Sequence, residues 1–165
     1  MKRYLSKVLD SIDVIVYVAD IETYEVLYIN EYTREQFGNI EGKSCWQSIQ
    51  VGQTGPCNFC TNDKIVTPDG KPAGVYHWEF QNTVTGKWFD IRDRAIEWKD
   101  GRIARLEVAT DITQRKKAEE EKEILITELK SALAEVRTLS RMLPICASCQ
   151  KYVMMRAIGI KWLII

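Results

Sequence analysis

The spacing of the cysteines is the feature of this chain that points most clearly to chemical reactivity or metal binding. Cys57 and Cys60 are separated by two residues, and Cys45 lies twelve residues before Cys57. A Cys-x-x-Cys turn can point two thiolates at one metal ion, and zinc or an iron–sulfur cluster takes four ligands. Cys45 would be the third ligand, and the fourth would come from His77, a partner chain or a small ligand. A thiol redox switch and plain packing suit the same spacing, so the sequence leaves three alternatives open.

No group in the sequence pairs with these thiols for catalysis. Neither serine nor cysteine has a nearby general base, and residues 118–142 contain no histidine that could accept a phosphoryl group. A glycine-rich phosphate loop and the Gly-Gly-Asp-Glu-Phe signature of diguanylate cyclases are also missing from the sequence. We therefore expect a protein that is not an enzyme, with a cysteine-based metal or redox protein as the alternative.

Charge and composition limit the cellular compartments and the binding partners that this protein is expected to have. The 165 residues include 23 basic and 23 acidic side chains, and this balance gives no support to nucleic-acid binding. Residues 1–5 lack the apolar run of a signal peptide, and no stretch approaches the ~20 apolar residues of a membrane span. Cysteine pairs in such a chain indicate reduced thiols or metal ligands rather than structural disulfides. These features predict a cytoplasmic protein that binds neither nucleic acid nor membrane.

The elements that position the cysteines follow from the hydrophobic pattern. Short helices are predicted over 1–12, 30–37, 45–49 and in a segment after Cys57. Alternating apolar and polar residues predict strands over 13–19, 24–29, 74–82, 87–98 and 102–110. Thr85-Gly86 and Asp100-Gly101 are hairpin signals between the last three strands. This order predicts an α+β fold, with a five-stranded antiparallel sheet and the short helices on one of its faces.

A heptad-patterned helix is predicted to follow the last strand directly, over 114–143. Its apolar seam follows the spacing of a coiled coil, and its members are Ala118, Lys122, Leu125, Leu129, Ala132, Val136, Leu139 and Leu143. Lys122 is the weak position, but the spacing holds over more than three heptads and favours a parallel dimer. We therefore predict a homodimer that pairs through the sheet and through helix 118–143.

Three sequence segments together resemble the PAS domain, a sensory fold of bacterial signalling proteins. They are Tyr28-Ile29-Asn30, Ile40-Glu41-Gly42-Lys43 and the exit segment Asp111-Ile112-Thr113-Gln114-Arg115-Lys116-Lys117-Ala118-Glu119. The resemblance covers roughly residues 10–117 and places the sensor domain at 13–113. It implies that Asp111 and Thr113 form a signal hinge between sheet and helix, as in two-component sensor kinases and diguanylate cyclases. A plain helix N-cap is the structural alternative for the same residues.

The PAS resemblance also bears on ligands. Trp46, Trp78, Phe89 and Ile91 are candidates to line an internal pocket for a small molecule, although such residues are often simply core. The light-sensing flavin branch has its reactive cysteine in the place of Cys45. Here, however, Trp46 stands where that branch has the arginine that holds the flavin phosphate. Heme-binding members use a helical histidine, whereas His77 is on a predicted strand. We therefore expect neither flavin nor heme.

The last segment, 144–165, holds a second pair, Cys146 and Cys149, in a linker that resembles those before kinase or cyclase modules. In that resemblance the chain normally continues with Ile-Arg-Asp-Asp and then Gly-Tyr-Trp. One choice of codons for residues 151–165 encodes this continuation when read from the third base. We therefore predict a frameshift near Lys151 and assign the apolar tail no role.

The functional prediction combines these points. The chain is expected to be a sensory module that detects a small ligand, a redox state or a cofactor change. It would relay that change through a dimeric helix to an output domain absent from this chain. A scaffold that only dimerises, without a ligand, is the other alternative.

Overall fold

The computed structural model describes residues 2–142 of the chain. Of these, residues 2–116 form one compact unit, and residues 117–142 belong to a second. Three predictions fall outside the described residues: the role of the Cys146 and Cys149 pair, the place of Leu143 in the seam, and the frameshifted tail over 144–165.

One antiparallel sheet organises the first unit. The elements in chain order are α1 (Lys2–Leu9), β1 (Ile15–Asp20), β2 (Val26–Ile29), α2 (Glu31–Phe37), α3 (Cys45–Ser48), α4 (Asn62–Ile65), β3 (Tyr76–Gln81), β4 (Trp88–Glu97), β5 (Ile103–Asp111) and α5 (Thr113–Met142). The strands pair in the order β2-β1-β5-β4-β3. The predicted α+β fold, with a five-stranded antiparallel sheet and a long C-terminal helix, is confirmed.

The first helix is shorter than predicted because the chain turns after it. α1 ends at Leu9 rather than at residue 12. The Ser11 hydroxyl donates to the Val8 carbonyl oxygen at 2.8 Å, and the Asp10 carboxylate accepts a hydrogen bond from the Glu31 N–H at 3.0 Å. These contacts close the end of α1 and connect the turn to the start of α2.

Asn30 joins three elements and sets the start of α2. Its Oδ1 accepts hydrogen bonds from the Thr33 N–H and the Val16 N–H, both at 3.1 Å. Its Nδ2 donates to two main-chain carbonyls that precede β1, at 3.0 and 2.9 Å. Asn30 is fully buried, so each of these polar atoms needs its partner. At the other end of the helix, Gly38 adopts φ 74°, as the predicted stop requires.

The inner face of the sheet is mixed in polarity. On β4, Phe89 and Ile91 point into the core, and Asp93 occupies the same row with no exposed surface. On β5, the inward row carries Arg105 and Glu107, which are only 7% and 8% exposed. Period-two alternation therefore holds on both strands, but three charged residues lie on the buried side.

The helix α5 keeps its seam uncovered in the single chain. Leu125, Leu129 and Val136 are 64%, 61% and 58% exposed, and Ile124 on another face is 52% exposed. Within residues 2–142, no helix combines the length and the apolar character that crossing a membrane would require.

Candidate functional site

A small internal cavity lies against the inner face of the sheet. Its volume is about 50 Å³, which is room for a few water molecules. Trp46, Trp78, Phe89 and Ile91 all line it, so the structure brings the four predicted pocket residues together. Phe89 and Ile91 belong to the buried core, and the two tryptophans pack against that core while partly buried.

An aromatic cluster forms one wall of the cavity. The ring centroids of Phe59 and Phe80 are 4.5 Å apart, and those of Trp78 and Phe80 are 5.2 Å apart. Phe59 also lies 6.1 Å from Trp78. Because Phe59 sits in the loop between Cys57 and Cys60, the conformation of that loop is tied to the wall of the cavity.

The three predicted metal ligands all line the same cavity. Cys45 is buried and Cys57 and Cys60 are half-buried. Burial raises the pKa of Cys45 to about 11, and it also raises the pKa of Cys57. Among residues 2–142, no group of three or more histidine, cysteine or acidic side chains is placed to hold a metal ion. Metal binding therefore stays a prediction.

His77 does not belong to this cavity. It lies on β3, where the alternation of exposed and half-buried side chains puts it on the exposed side. Its Nε2 lies 2.8 Å from an Asp90 carboxylate oxygen on the neighbouring strand. His77 therefore points outward, and this suggested fourth ligand for the cysteines is not among the residues that line the cavity.

A buried polar cluster centred on Arg105 forms the other wall. One guanidinium nitrogen, Nη2, donates to the Tyr17 hydroxyl at 2.7 Å, and that hydroxyl donates to Glu107 Oε2 at 2.6 Å. Nη1 donates to Asn62 Oδ1 at 3.2 Å. The same two nitrogens also contact sulfur atoms. Nη1 lies 3.6 Å from Cys60 Sγ, and Nη2 lies 3.7 Å from Cys45 Sγ. A fixed positive charge therefore lies between two of the three thiols.

The carboxylates of the cluster pair only loosely with Arg105. Its Nε lies 3.9 Å from Asp93 Oδ1 and 3.8 Å from Glu107 Oε2, too far for hydrogen bonds. Asp93 Oδ2 instead accepts from the Thr61 hydroxyl and from Trp78 Nε1, both at 2.8 Å. Within the described part of the chain, Asp93 Oδ1 and Arg105 Nε are buried without a hydrogen-bond partner. Buried polar atoms without a partner are costly, so these two atoms lower the stability of the cluster.

Burial controls protonation in this cluster. Desolvation raises the pKa of Glu107 to about 8, and the nearby negative charge of Asp93 acts in the same direction while Arg105 opposes it. Burial likewise raises the pKa of Tyr17 well above its usual value. At neutral pH the cluster therefore holds a largely protonated Glu107 that can donate a hydrogen bond.

Sequence reasoning missed this cluster, although one signal was available. On β4 the inward row is apolar apart from Asp93, and a carboxylate in an apolar row is expected to be buried with partners. On β5 the signal is misleading. Leu106 and Val108 alternate with Arg105 and Glu107, and ordinary patterning would have turned the leucine and valine to the core.

The predicted hinge residues fix the start of α5 to β4. The Thr113 N–H donates to Asp111 Oδ1 at 2.9 Å, and the Thr113 hydroxyl oxygen accepts the Trp88 N–H at 3.0 Å. Lys87 Nζ lies 3.2 Å from Asp111 Oδ2. The Ile112 N–H donates to the Trp88 carbonyl oxygen at 2.8 Å. Thr113 therefore contacts the first residue of β4, and Asp111 contacts the residue just before that strand.

Glu79 is a further anchor that the sequence analysis did not single out. Its two carboxylate oxygens lie 2.6 Å from Arg115 Nη2 and 2.6 Å from Lys116 Nζ, on the first turn of α5. Hydrogen bonds from Lys116 and then Arg115 lower the pKa of Glu79 to about 2. The edge strand β3 thus holds the same helix start that the hinge residues hold from β4.

Comparison with known proteins rests on structure alone. No protein-family model matches the sequence, and no curated protein matches it. An RNA-binding light-oxygen-voltage receptor superposes with a TM-score of 0.55 and 16% identity, over 77% of this chain. This chain spans only 37% of that receptor, and the RNA binding is a property of that protein.

A second solved structure covers the domain more evenly. The PAS domain of nitrogen regulation protein NR(II) from Vibrio parahaemolyticus superposes with a TM-score of 0.50 and 15% identity. The match covers 66% of this chain and 97% of that domain. Together with the sheet order and the cavity on its inner face, these likenesses establish that the chain has the PAS fold, followed by a long C-terminal helix.

Proposed function

We propose that the chain is a sensory signal-transduction module. A small ligand, a redox change or a cofactor change in the cavity would shift the Arg105 cluster. The hinge would pass that shift to α5, and a dimeric helix would carry it to an output domain. Cytoplasmic location and a place in a bacterial two-component system belong to the same proposal.

The observation that carries the proposal is the path of β5. Arg105 and Glu107 line the cavity from this strand, and Asp111 ends it. A shift of the strand at the cavity would therefore act directly on the hinge residue that orients Thr113. Since cores are close-packed, small displacements at one end of a strand are transmitted rather than absorbed.

The exposed seam of α5 supports the dimer. Leucine and valine side chains that are more than half exposed, at coiled-coil spacing, fit a second copy of the same helix. A parallel copy would place identical positions opposite each other, and the seam would be covered along its length. We therefore propose a homodimer that pairs through helix 118–143 and through the sheet.

Sedimentation equilibrium of the full chain tests this proposal with a matched pair of variants. Leu129→Glu places a charge in the seam, whereas Ile124→Glu places the same charge on an exposed apolar position outside it. Burial of a leucine contributes about 1.5–3 kcal/mol, and the dimer has two copies, so the seam variant should weaken dimerisation by more than about 100-fold.

The outcomes separate clearly. We expect dimers for the wild type and for Ile124→Glu, and monomers for Leu129→Glu. A monomeric wild type, or equal weakening by both variants, would contradict the dimeric relay.

A further inference from the structure

The loop that carries Cys57 and Cys60 is a tight turn. The Cys60 N–H donates to the Cys57 carbonyl oxygen at 3.0 Å. A four-residue turn closed in this way keeps its end Cα atoms within about 7 Å of each other. Disulfides span Cα separations of about 4.4–6.8 Å, so the backbone already holds these two residues near bonding range.

The surroundings of the turn distinguish its two thiols from Cys45. Cys57 and Cys60 are half-buried, which leaves them open to a small reagent. Cys45 is only 6% exposed, at the start of α3, and no hydrogen bond of the turn reaches it. Thiol reactivity requires access to the reagent, so a thiol shielded from solvent is protected. The reactive pair is therefore the one in the turn.

Arg105 bears on what these thiols can do. Its Nη1 lies 3.6 Å from Cys60 Sγ, so a fixed positive charge stands beside this sulfur. The same fixed charge opposes a bound metal cation that would need both Cys60 and Cys45 as ligands. The contact thus favours thiol chemistry over coordination at this site.

We propose that Cys57 and Cys60 are a reversible redox modification site that forms an intramolecular disulfide by exchange with a low-molecular-weight disulfide. The Cys60 thiolate attacks one sulfur of the reagent, whose S–S bond breaks, and half of the reagent leaves as a thiolate that takes up a proton. The Cys57 thiolate then attacks Cys60 Sγ and releases the second half as a thiol. The protein loses two electrons and two protons, and the reagent gains them as two thiols.

The bond would change the cavity because Phe59 lies between the two thiols. This ring packs at a tilt against Phe80 and Trp78, and Trp78 donates to Asp93 in the polar cluster. Locking the turn would restrain the ring and replace the free thiol beside Arg105 with a disulfide sulfur. The idea that this disulfide is the stimulus of the sensor rests on the proposed function. The formation of the disulfide itself does not.

Peptide mapping tests the site in the full chain, with oxidised glutathione as the probe. The reduced protein is incubated without oxygen at increasing ratios of oxidised to reduced glutathione. Free thiols are then alkylated, and the protein is digested with trypsin and chymotrypsin. Chymotrypsin cuts after Phe59, so fragments on either side of it stay joined only if Cys57 and Cys60 are bonded. Cleavage after Trp46 separates Cys45 from both, and the Cys146 and Cys149 pair is recovered in another peptide.

Three variants assign the roles of the thiols. In Cys45→Ser we expect the Cys57–Cys60 link to form as in the wild type. In Cys57→Ser, Cys60 should be trapped as a mixed disulfide with glutathione, whereas in Cys60→Ser, Cys57 should remain largely alkylated. A link from Cys45 to either residue, or alkylated Cys57 and Cys60 at every glutathione ratio, would overturn the proposal.

The sedimentation test and the peptide-mapping test can each refute one proposal without refuting the other. A monomeric chain that still forms the link would refute the relay alone, and a dimer without the link would refute the redox site alone.

Discussion

Glu107 offers the sharpest test of the buried cluster. Its pKa is raised to about 8 in the folded protein, against an ordinary value of 4.5. Between these pH values the folded state holds a proton that the unfolded chain releases. The free energy of unfolding must therefore fall as pH rises, by about 1.4 kcal/mol per pH unit while this proton is held.

The substitution Glu107→Gln removes this dependence with little change in shape. The amide resembles the protonated carboxyl, since its oxygen can accept from the Tyr17 hydroxyl and its NH₂ group can donate to Asp93. From about pH 5.5 to about pH 7.5, the wild type should lose about 2–3 kcal/mol relative to the variant. The lowered pKa values of Asp20, Glu79 and Asp111 place their titration below this window.

Urea unfolding at the two pH values, followed by intrinsic fluorescence, measures the effect. All other side chains are shared by both proteins, so the difference between wild type and variant isolates Glu107. Parallel pH profiles for the two proteins would refute the assignment of a buried, protonated Glu107.

Three further predictions concern the supports of the site. Asn30→Ala should lower the free energy of unfolding by about 2–4 kcal/mol, because it removes a helix cap and leaves buried main-chain groups unpaired. Urea unfolding measures this loss, and a loss under about 1 kcal/mol would contradict the prediction. Thr113→Val should cost about 1–2 kcal/mol and speed exchange of the Trp88 amide, whereas Thr110→Val on the exposed side of β5 should do neither. If a structural metal is held by the cysteines, the Cys57→Ser, Cys60→Ser variant and the chelator-treated protein should both melt clearly lower than the wild type, and equal melting curves would end the metal prediction.

Local rules were enough to predict most elements of the fold. The alternation of apolar and polar residues predicted the strands. Asn30 and Gly38 marked the two ends of α2, because an N-cap residue and a glycine with positive φ act on backbone groups close in sequence. The local contact between Asp111 and the Thr113 N–H spans two residues, whereas their contacts with Lys87 and Trp88 join distant parts of the chain, and their role as a signal hinge stays a prediction. The sheet order was not specified by such rules, because pairing of β1 with β5 joins segments about 90 residues apart.

The character of the cavity could be predicted only in part. Trp46 and Trp78 were identified as lining residues because large aromatic side chains seek burial. Arg105 and Glu107 were not, because their burial depends on Tyr17 and Asp93 from other strands. A charged residue on a strand looks solvent-exposed until its distant partners are known.

The central claim is that a change in the cavity reaches the helix. Hydrogen–deuterium exchange of Cys45→Met, which extends a side chain into the cavity beside Arg105, tests it most directly. Thr110→Met, on the exposed side of β5, is the control. We predict altered exchange at the Trp88, Ile112 and Lys116 amides, which hold the start of α5, in the cavity variant alone. Unchanged exchange at these amides, in a variant whose sheet stays protected, would contradict the account.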